Sequence, residues 1–404
     1  MMSAVGDAVH VLPVINAIKR AKPSAWITWV LQPMPASLVR DHESVDEVIL
    51  FDRSKGVAGM REVITQLRAR KFDLLLDLQV YFKAGVITAF SGAPRKLGFN
   101  WARARDANWL FTNERIPARP IQHVQDQYFE FLRHLGIDPE PVEWRIGPYD
   151  SEREWQREFV SQFTKPLASI VVATSKKEKD WMPERWADIC DILAERYGMQ
   201  SVLVGGTSKR EVAAAEVILA RSRSNPHSAL GSGLRKLISI LDASELVLAG
   251  DTGPLHMSVA LNRPIITLMG YTDPRRTGPY RKFHDLLIDA YHDPDETGPI
   301  TMTTKHDRMS RITVSDVVEK LEMWSERYRG EVVADSELGE ERDEAYEGKP
   351  HHREVITVDA AYERRAISLN AVRARLVHRL TGGDVAPDLI VVENPERHVY
   401  DFDA

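Results

Sequence analysis

Short apolar runs alternate along the chain with longer segments in which apolar residues recur at helical spacing. This alternation is typical of a parallel sheet that is covered by helices on both faces. In the first third of the chain the apolar runs predict strands, and an amphipathic segment between two of them predicts a helix. The predicted strands are 25–31, 47–51 and 72–78, and the predicted helix is 57–71.

A second series of the same kind begins near residue 168. It predicts strands at 168–174, 201–206, 245–250 and 264–270, and helices at 183–198, 208–222, 233–244, 254–262 and 314–330. The two series therefore predict an α/β fold of two doubly wound units in tandem. In such folds a ligand cleft lies between the units, at the carboxyl ends of the strands.

Proline, glycine and charged residues cluster at 135–150, between the two series. We therefore expect domains at 1–147 and 148–330, followed by a C-terminal extension at 331–404. The extension begins with an acidic stretch that is poor in apolar residues, which predicts a flexible linker. Beyond it, 362–380 predicts a basic amphipathic helix, which either packs onto the body of the protein or docks on anionic lipid or another protein.

The composition limits the class of protein. The 404 residues are 43% hydrophobic and carry a formal net charge of -6, which gives no reason to expect a nucleic-acid partner. The single cysteine, Cys190, excludes an internal disulfide, suits a reducing cytoplasm and is predicted to be a core residue. No apolar run is long enough to span a membrane, and the positive charges near the start follow the apolar part, the reverse of a secretory signal. A cytoplasmic location is expected, with contact to a membrane surface left open.

The segment after the predicted strand 245–250 contains candidate phosphate-binding residues. Pro254 suits the first turn of a helix, which leaves Asp251, Thr252 and Gly253 on the preceding turn. Gly253 would let the backbone approach a ligand closely, and the free N–H groups of the helix start favour an anion. Two alternatives stay open: an ordinary strand-to-helix junction in which Asp251 only caps, and a His256 that is simply packed.

The loop after the next strand should leave the sheet at the same edge. Arginine beside an anion site at a helix terminus is what a diphosphate would need. The loop residues that could line the cleft are Thr272, Asp273, Arg275, Arg276 and Thr277.

The stretch "DTGPLHMSVALNRPIITLMGYTDPRRTGPY" (251–280) closely resembles the signature of the ADP-heptose:lipopolysaccharide heptosyltransferases, glycosyltransferase family 9. Further segments resemble the family in the same order, and the resemblance spans roughly residues 3 to 328. They are 5–20, 72–100, 123–136 and 174–206. The resemblance implies a GT-B fold, in which the N-terminal domain binds the acceptor and the C-terminal domain binds the nucleotide sugar.

The resemblance also implies roles for individual residues. Inverting sugar transfer needs a base for the acceptor hydroxyl and positive or donor groups for the departing diphosphate. By the match, Asp7 is the catalytic base and Lys179 neutralises the leaving group. An N-terminal cap of a helix is the alternative for Asp7. Lys176 and Lys177, which lie close to Lys179 in the sequence, could simply be solvated surface charges.

The remaining donor-site residues follow from the same match. Thr174 and Ser175 would contact the phosphates or the donor sugar, Glu211 the ribose, and Asp251 the donor heptose. Glu211 could instead be a solvated helix-surface residue. The complete donor set is Thr174, Ser175, Glu211, Asp251, Thr252, Gly253 and His256.

Basic residues in the N-terminal part are candidates for contacting an acidic acceptor, with scattered surface charge as the alternative. They are Lys83, Arg95, Lys96, Arg103 and Arg105. No metal site is expected, because the histidine and aspartate clusters lack convincing ligand spacing. These clusters are His284, His292, Asp293 and Asp295, and separately His351 and His352.

The sequence departs from the family pattern at three places. Family members have an apolar strand ahead of the Gly-Asp loop, whereas only "MMSAV" precedes Gly6 here. Either the start is set too late or another segment, such as 388–394, fills the position of that strand. Gln79 is followed by Val80 where the family has Gln-Gly, and the tail after residue 330 has no recognised counterpart.

The residues and the resemblance together predict an inverting glycosyltransferase that moves heptose from ADP-heptose to a lipopolysaccharide core or related glycan. Its expected partners are the nucleotide sugar and a lipid-linked acceptor at the inner membrane surface, with no cofactor besides the ADP-sugar substrate. Two alternatives stay open: the same fold with another nucleotide sugar or acceptor, and a non-catalytic scaffold that works through its extension. A nicotinamide-dependent dehydrogenase is disfavoured because no GxGxxG follows a predicted strand.

Overall fold

The computed structural model describes residues 4–330 of the protein. The predicted linker and helix in 331–404, and the segment 388–394, lie outside the described residues. The helices are α1 (Val5–Ala21), α2 (Pro33–Leu38), α3 (Gly56–Arg68), α4 (Phe82–Phe90), α5 (Val124–His134), α6 (Asp150–Val160), α7 (Pro183–Tyr197), α8 (Lys209–Arg221), α9 (Leu234–Ala243), α10 (Gly253–Ala260), α11 (Pro274–Thr277) and α12 (Val314–Arg327).

The strands of the first half form two parallel sheets. One sheet pairs β1 (Thr28–Leu31) with β2 (Glu47–Leu50), and the other has the order β3 (Leu74–Asp77), β4 (Arg95–Gly98), β5 (Glu114–Arg115). No strand within residues 4–330 joins these two sheets. Helices α3 and α4 pack together over β2, where Ile49, Val63 and Ile87 form a small apolar core.

The second half contains one six-stranded parallel sheet. Its strands are β6 (Leu167–Val171), β7 (Gln200–Val204), β8 (His227–Ser228), β9 (Ser244–Gly250), β10 (Ile265–Met269) and β11 (Leu287–Asp289). Their spatial order is β8-β7-β6-β9-β10-β11, which is the order of a dinucleotide-binding fold. The strand order therefore reverses direction between β6 and β9, where a crevice opens at the carboxyl ends.

Two layers of helices cover this sheet. Helix α7 packs with α8 and α12, and α9 packs with α6 and α10. All five residues of β6 and all five of β10 are buried, as expected for strands that are covered on both faces. The predicted α/β fold with parallel sheets is confirmed. The predicted boundary near residue 147 stays a prediction.

Local signals place the helix ends close to their predicted positions. Pro183 occupies the first turn of α7, and Gly198 ends that helix with a left-handed φ of 65°. Helix α8 begins with a capping box, in which Ser208 and Glu211 each accept the other residue's backbone N–H. The predicted core position of Cys190 on α7 is confirmed, and burial raises the pKa of its thiol to about 12.

Helix α1 connects the two halves of the fold. It packs against α5 of the first half and against α10 of the second half. Ten consecutive residues of α1, from Ala8 to Ala17, are buried. Within residues 4–330, none of the helices combines the length and the apolar character needed to cross a bilayer.

Candidate functional site

A cavity of about 1250 Å³ lies at the crevice between β6 and β9. Loops that follow these two strands form one side of it, and the start of α1 with loops of the first half forms the other. The volume is large enough for two substrates, because pockets for single small ligands usually occupy about 300–1000 Å³. The cavity therefore brings residues from both halves of the chain to one place.

Asp7 lies in the first turn of α1 and lines the cavity. The N-cap of α1 is Ala4, so the alternative that Asp7 only caps this helix is wrong. Burial raises the pKa of the Asp7 carboxyl from 3.8 to about 6, against the opposing effects of Arg276 and the Tyr128 hydroxyl. A carboxylate with a pKa near neutral pH can accept a proton from a hydroxyl group.

The glycine before Asp7 allows α1 to approach α10 closely. A Cβ atom on Gly6 would lie 2.9 Å from Cδ2 of His256 and 3.7 Å from Cα of Gly253. The contact is closer than ordinary Cβ packing, so a larger residue would push the helices apart. Gly6 therefore sets the position of Asp7 relative to the second half.

Lys179 and Asp251 form an ion pair across the crevice. Lys179 ends a short 3-10 helix after β6, and its Nζ lies 2.5 Å from Oδ2 of Asp251, which follows β9. The same carboxylate oxygen accepts a hydrogen bond from Thr272, in the loop after β10. Asp251 is thus held by two side chains and faces the cavity, and it does not cap α10. The alternative of a simple capping role is wrong.

The loop 174–180 is held in place by hydrogen bonds and an ion pair of Asp180 and Arg210. Asp180 accepts hydrogen bonds from both the backbone N–H and the hydroxyl of Thr174, at 2.6 and 2.9 Å. Arg210 on α8 pairs with Asp180 at 2.9 Å and also donates to the Thr174 carbonyl. These contacts fix the loop that carries Ser175 and Lys179 at the cavity wall.

The start of α10 presents free backbone donors to the cavity. Thr252 is the N-cap residue and makes no side-chain capping bond, and Gly253 is the first residue of the helix. Pro254 has no N–H and the Leu255 N–H donates to the Thr252 carbonyl at 3.1 Å. The N–H groups of Thr252 and Gly253 face no carbonyl of the helix, and the helix dipole adds partial positive charge there. Burial lowers the pKa of His256 well below 6.5, so this cavity residue is neutral.

Glu211 reaches the cavity from the first turn of α8. Its carboxylate accepts from the backbone N–H of Gly206 at 2.6 Å and from that of Ser208 at 3.0 Å. Burial acts to raise the pKa of Glu211, but these bonds and the Ser208 hydroxyl lower it overall. The alternative of a simply solvated glutamate is wrong, because the side chain braces the loop after β7.

The basic residues of the first half are placed differently from expectation. Arg95 and Lys96 begin β4, and Arg95 pairs with Glu114 at the surface. The start of a parallel strand lies at the opposite edge from the cavity, so the two are not acceptor contacts at the cavity wall. The structure therefore corrects the prediction that Arg95 and Lys96 contact the acceptor.

Two other predicted acceptor residues lie nearer to the cavity. Arg103 lines it, but its guanidinium is bound by Glu130 at 2.8 Å and by the carbonyls of Arg119 and Pro120. Lys83 is exposed in the first turn of α4 and does not line the cavity.

Comparison with known proteins identifies the family. The family described as glycosyltransferase family 9 (heptosyltransferase) matches residues 60–303, which is more than half of the chain. The chain belongs to glycosyltransferase family 9. The resemblance found in the sequence and the prediction of a glycosyltransferase are thereby confirmed.

Two relatives cover most of this family 9 glycosyltransferase. It is 29% identical over 293 residues to the lipopolysaccharide core heptosyltransferase OpsX of Haemophilus influenzae, with 72% of this chain and 83% of the relative covered. It is 26% identical over 293 residues to lipopolysaccharide heptosyltransferase 1 of Salmonella typhimurium, with 69% and 90% covered.

Solved structures of similar proteins show the same fold. A family 9 glycosyltransferase from Veillonella parvula matches with a TM-score of 0.69 at 22% identity, covering 80% of this chain and 95% of that one. The Escherichia coli heptosyltransferase WaaC with ADP matches with a TM-score of 0.63 at 23% identity, covering 80% and 97%. The predicted GT-B architecture is confirmed.

Several cavity residues of this family 9 glycosyltransferase were not predicted as site residues. Tyr128 and His10 line the cavity beside Asp7, and Arg210 braces the 174–180 loop. Sequence signals for them are weak, because all three lie within helices whose patterns resemble ordinary amphipathic segments. Arg276 was predicted as a loop residue and does line the cavity, whereas Arg275 is bound by Asp273 and does not.

Two residues of the histidine and aspartate cluster at 284–295 are bound by other side chains. His292 hydrogen-bonds Asp289 at 2.7 Å, and Asp293 pairs with Arg308 and Arg311. Across residues 4–330, no group of three or more metal-ligating side chains is present. His351 and His352 lie outside that range.

Proposed function

We propose that this protein is an inverting heptosyltransferase that moves heptose from ADP-heptose to a sugar of a lipopolysaccharide core. Membership of family 9 and the names of the two relatives support this choice of donor and acceptor. The observation that carries the proposal is the cavity itself. It holds a carboxylate of raised pKa on one side and an ammonium group with an exposed helix N-terminus on the other.

In the proposed reaction, Asp7 accepts the proton of the acceptor hydroxyl as the hydroxyl oxygen forms a bond to the anomeric carbon of the heptose. The bond from that carbon to the diphosphate breaks on the opposite face, and ADP leaves with the bonding electrons. A base with a pKa near the working pH suits this step, because it is ionised before the reaction and can still hold the proton afterwards.

The donor side of the cavity offers charge and hydrogen-bond donors for ADP. We assign the diphosphate to Lys179 and the backbone N–H groups at Thr252 and Gly253, because both attract anions. Thr174 and Ser175 form the wall next to Lys179. His256, which is neutral, can contact the donor without adding charge.

Two carboxylates complete the proposed donor site. Asp251 faces the cavity beside Lys179 and would accept hydrogen bonds from heptose hydroxyls. Glu211 would accept from the ribose hydroxyls with the lone pairs that its backbone contacts leave free. We propose that no metal cofactor is needed, because Lys179 and the α10 terminus provide the positive charge that the departing diphosphate requires.

The test is acceptor-dependent release of ADP from ADP-heptose by the purified protein, with and without EDTA. A Kdo-bearing lipid A serves as acceptor, and Asp7→Ala is compared with the wild type. We expect release that needs the acceptor, is equal with and without EDTA, and falls roughly 100- to 10,000-fold in Asp7→Ala. Unchanged turnover in Asp7→Ala would exclude Asp7 as the base, and acceptor-dependent turnover with another nucleotide sugar alone would exclude heptose as the donor sugar.

We further propose that the enzyme works in the cytoplasm at the inner membrane surface, where it meets a lipid-linked acceptor. The support is an exposed patch next to the cavity, which we call the rim: Tyr81, Lys83, Trp101 and Arg105. Tyr81 and Arg105 line the cavity, and Lys83 and Trp101 lie within two residues of lining positions in the sequence. Arg105 N–H donates to the Val80 carbonyl at 2.8 Å, which joins the two rim loops. Tyr81 and Trp101 are 51% and 65% exposed. Exposed aromatic and basic side chains together suit a membrane interface that carries anionic lipid.

Vesicle co-sedimentation tests this location. Binding to vesicles of phosphatidylglycerol and phosphatidylethanolamine should weaken roughly fivefold to tenfold in Trp101→Ala, because a large apolar surface is lost. Trp26→Ala is the matched control. Trp26 is 72% exposed but lies beyond the far end of α1, whose 17 residues span about 25 Å. Equal binding by the wild type and Trp101→Ala would contradict the assignment of the rim.

A further inference from the structure

Arg276 is a cation of the cavity that the proposed reaction has not used. It lies on α11, in the loop after β10, and lines the cavity. Its Nε atom is buried and has no hydrogen-bond partner within the described residues. Its neighbour Arg275 is held differently, because it donates to both oxygens of Asp273 and to the Gly298 carbonyl. Of the two arginines, Arg276 is the one that points its charge into the cavity.

The titratable side chains around Asp7 lie on α1 itself and on α5 and α10, which pack against α1. His10 on α1, His123 at the start of α5 and His256 on α10 are uncharged, because burial lowers their pKa values. Tyr128 on α5 is also uncharged, since burial raises its pKa.

Two charged groups follow β6 and β9. Asp251 acts on Asp7 as a like charge, but it is paired with Lys179 at 2.5 Å, so the two largely cancel. That leaves Arg276 as the cation of the second half that lines the same cavity as Asp7 and, among residues 4–330, is paired with no carboxylate.

We propose that Arg276 is a positioning residue that keeps Asp7 ionised as the catalytic base, and that the donor-binding half of the protein supplies this charge to a base on the other half. The inference rests on the proposed role of Asp7. A guanidinium suits this task, because it stays charged when partly buried. Asp7 lies at the start of α1, and Arg276 lies on α11 of the other half, so the two line one cavity only while the halves are packed together.

Burial and Arg276 act on Asp7 in opposite directions. Burial raises the pKa of Asp7, and Arg276 is the strongest of the influences that lower it. Removal of the cation should therefore raise the pKa of Asp7 further, and a protonated Asp7 cannot accept the acceptor proton. An opposite charge at short range changes a carboxyl pKa by about one unit or more.

The first experiment is the pH profile of kcat/KM for the acceptor, at saturating ADP-heptose, in the wild type, Arg276→Gln and Arg276→Lys. We expect the acid limb of Arg276→Gln to move about one unit to higher pH, with roughly fivefold lower activity at pH 6 and a smaller loss at pH 8. Arg276→Lys should restore most of the limb, because it restores the charge. Arg221→Gln, an exposed arginine on α8, is the matched control and should leave the profile unchanged.

The second experiment does not depend on activity. Because the folded-state pKa of Asp7 lies above its unfolded value, ionisation of Asp7 costs stability as pH rises from about 4 to about 6. Arg276→Gln should therefore lose more thermal stability than the wild type between pH 4.5 and pH 7.5. With Asp7→Asn in place, Arg276→Gln should make no further difference to that loss.

Two results would overturn the inference. One is an unmoved acid limb with a uniform loss at all pH values and a raised KM, which would make Arg276 a substrate-binding residue. The other is a pH-dependent loss of stability from Arg276→Gln that persists with Asp7→Asn. Failure of the proposed function gives a different result: either the wild type shows no acceptor-dependent turnover of ADP-heptose, or Asp7→Asn keeps that turnover.

Discussion

Lys179 and Asp251 show how the proposed diphosphate site keeps two buried charges paired. Their charged atoms lie 2.5 Å apart, and the two side chains are only 15% and 11% exposed. An unpaired ammonium or carboxylate in this position would be costly, because burial removes it from water. Under the proposed function, a diphosphate would therefore have to compete with Asp251 for the Lys179 ammonium.

This competition predicts opposite effects of two substitutions on ADP binding. Lys179→Met should weaken ADP binding about tenfold or more, because a charge-assisted contact is lost. Asp251→Asn should leave ADP binding equal or make it a few times tighter, since Lys179 is then free for the phosphates. Isothermal titration calorimetry with ADP measures both dissociation constants.

The control for this prediction is the double variant with both substitutions. If Asp251 acts only by holding Lys179, the double variant should bind ADP like Lys179→Met. A loss of ADP affinity in Asp251→Asn as large as that in Lys179→Met would contradict the competition and make the pair a single preorganised unit.

At the level of elements, the crossing of α1 and α10 places the proposed base opposite the donor site. The two helices can approach because Gly6 has no side chain against His256. A methyl group there would meet the imidazole at 2.9 Å, so one of the helices would have to move. Small displacements matter at this point, because Asp7 is the next residue.

We therefore expect Gly6→Ala to lower turnover about tenfold or more, and to lower the free energy of unfolding by about 1–3 kcal/mol through overpacking. Steady-state kinetics and urea denaturation measure the two effects. Gly298→Ala is the matched control, because a Cβ there meets nothing within 4 Å and the backbone is not left-handed. Wild-type turnover in Gly6→Ala would show that α1 can shift without affecting the base.

The elements that could be predicted from the sequence are those with strong end signals. Helix 183–198 was predicted from its amphipathic pattern and is observed as Pro183–Tyr197, with a proline in its first turn and a left-handed glycine at its end. The strands β5 and β8 were not predicted, because each has only two residues and shows no alternation. The prediction for Arg95 was wrong because the apolar pattern does not reveal the short strand β4, and so does not show that Arg95 is its first residue.

At the level of the whole molecule, the sequence predicted which strand ends carry the site but not which charges face each other. Thr252 and Gly253 could be placed at the cavity because they follow a buried strand. Arg276 and Asp7 are far apart in sequence and belong to different halves, and they line one cavity because the two halves are packed together. Only the assembled fold brings such residues together.

The same junction contains buried neutral histidines, which should make the assembled protein sensitive to acid. The rings of His10 and His256 lie 4.2 Å apart, and Nδ1 of His10 lies 3.0 Å from Oε1 of Gln125. Burial lowers the pKa of His10 from 6.5 to about 3. The stabilising neutral form is complete above pH 6.5, and its contribution is lost as pH falls towards 3. At pH 5 this loss is about 2 kcal/mol for His10.

His10→Asn keeps an amide N–H for Gln125 without a titrating group. Urea denaturation should therefore show that the variant loses about 2 kcal/mol less than the wild type between pH 7.5 and pH 5, and equal losses would contradict this account of the junction.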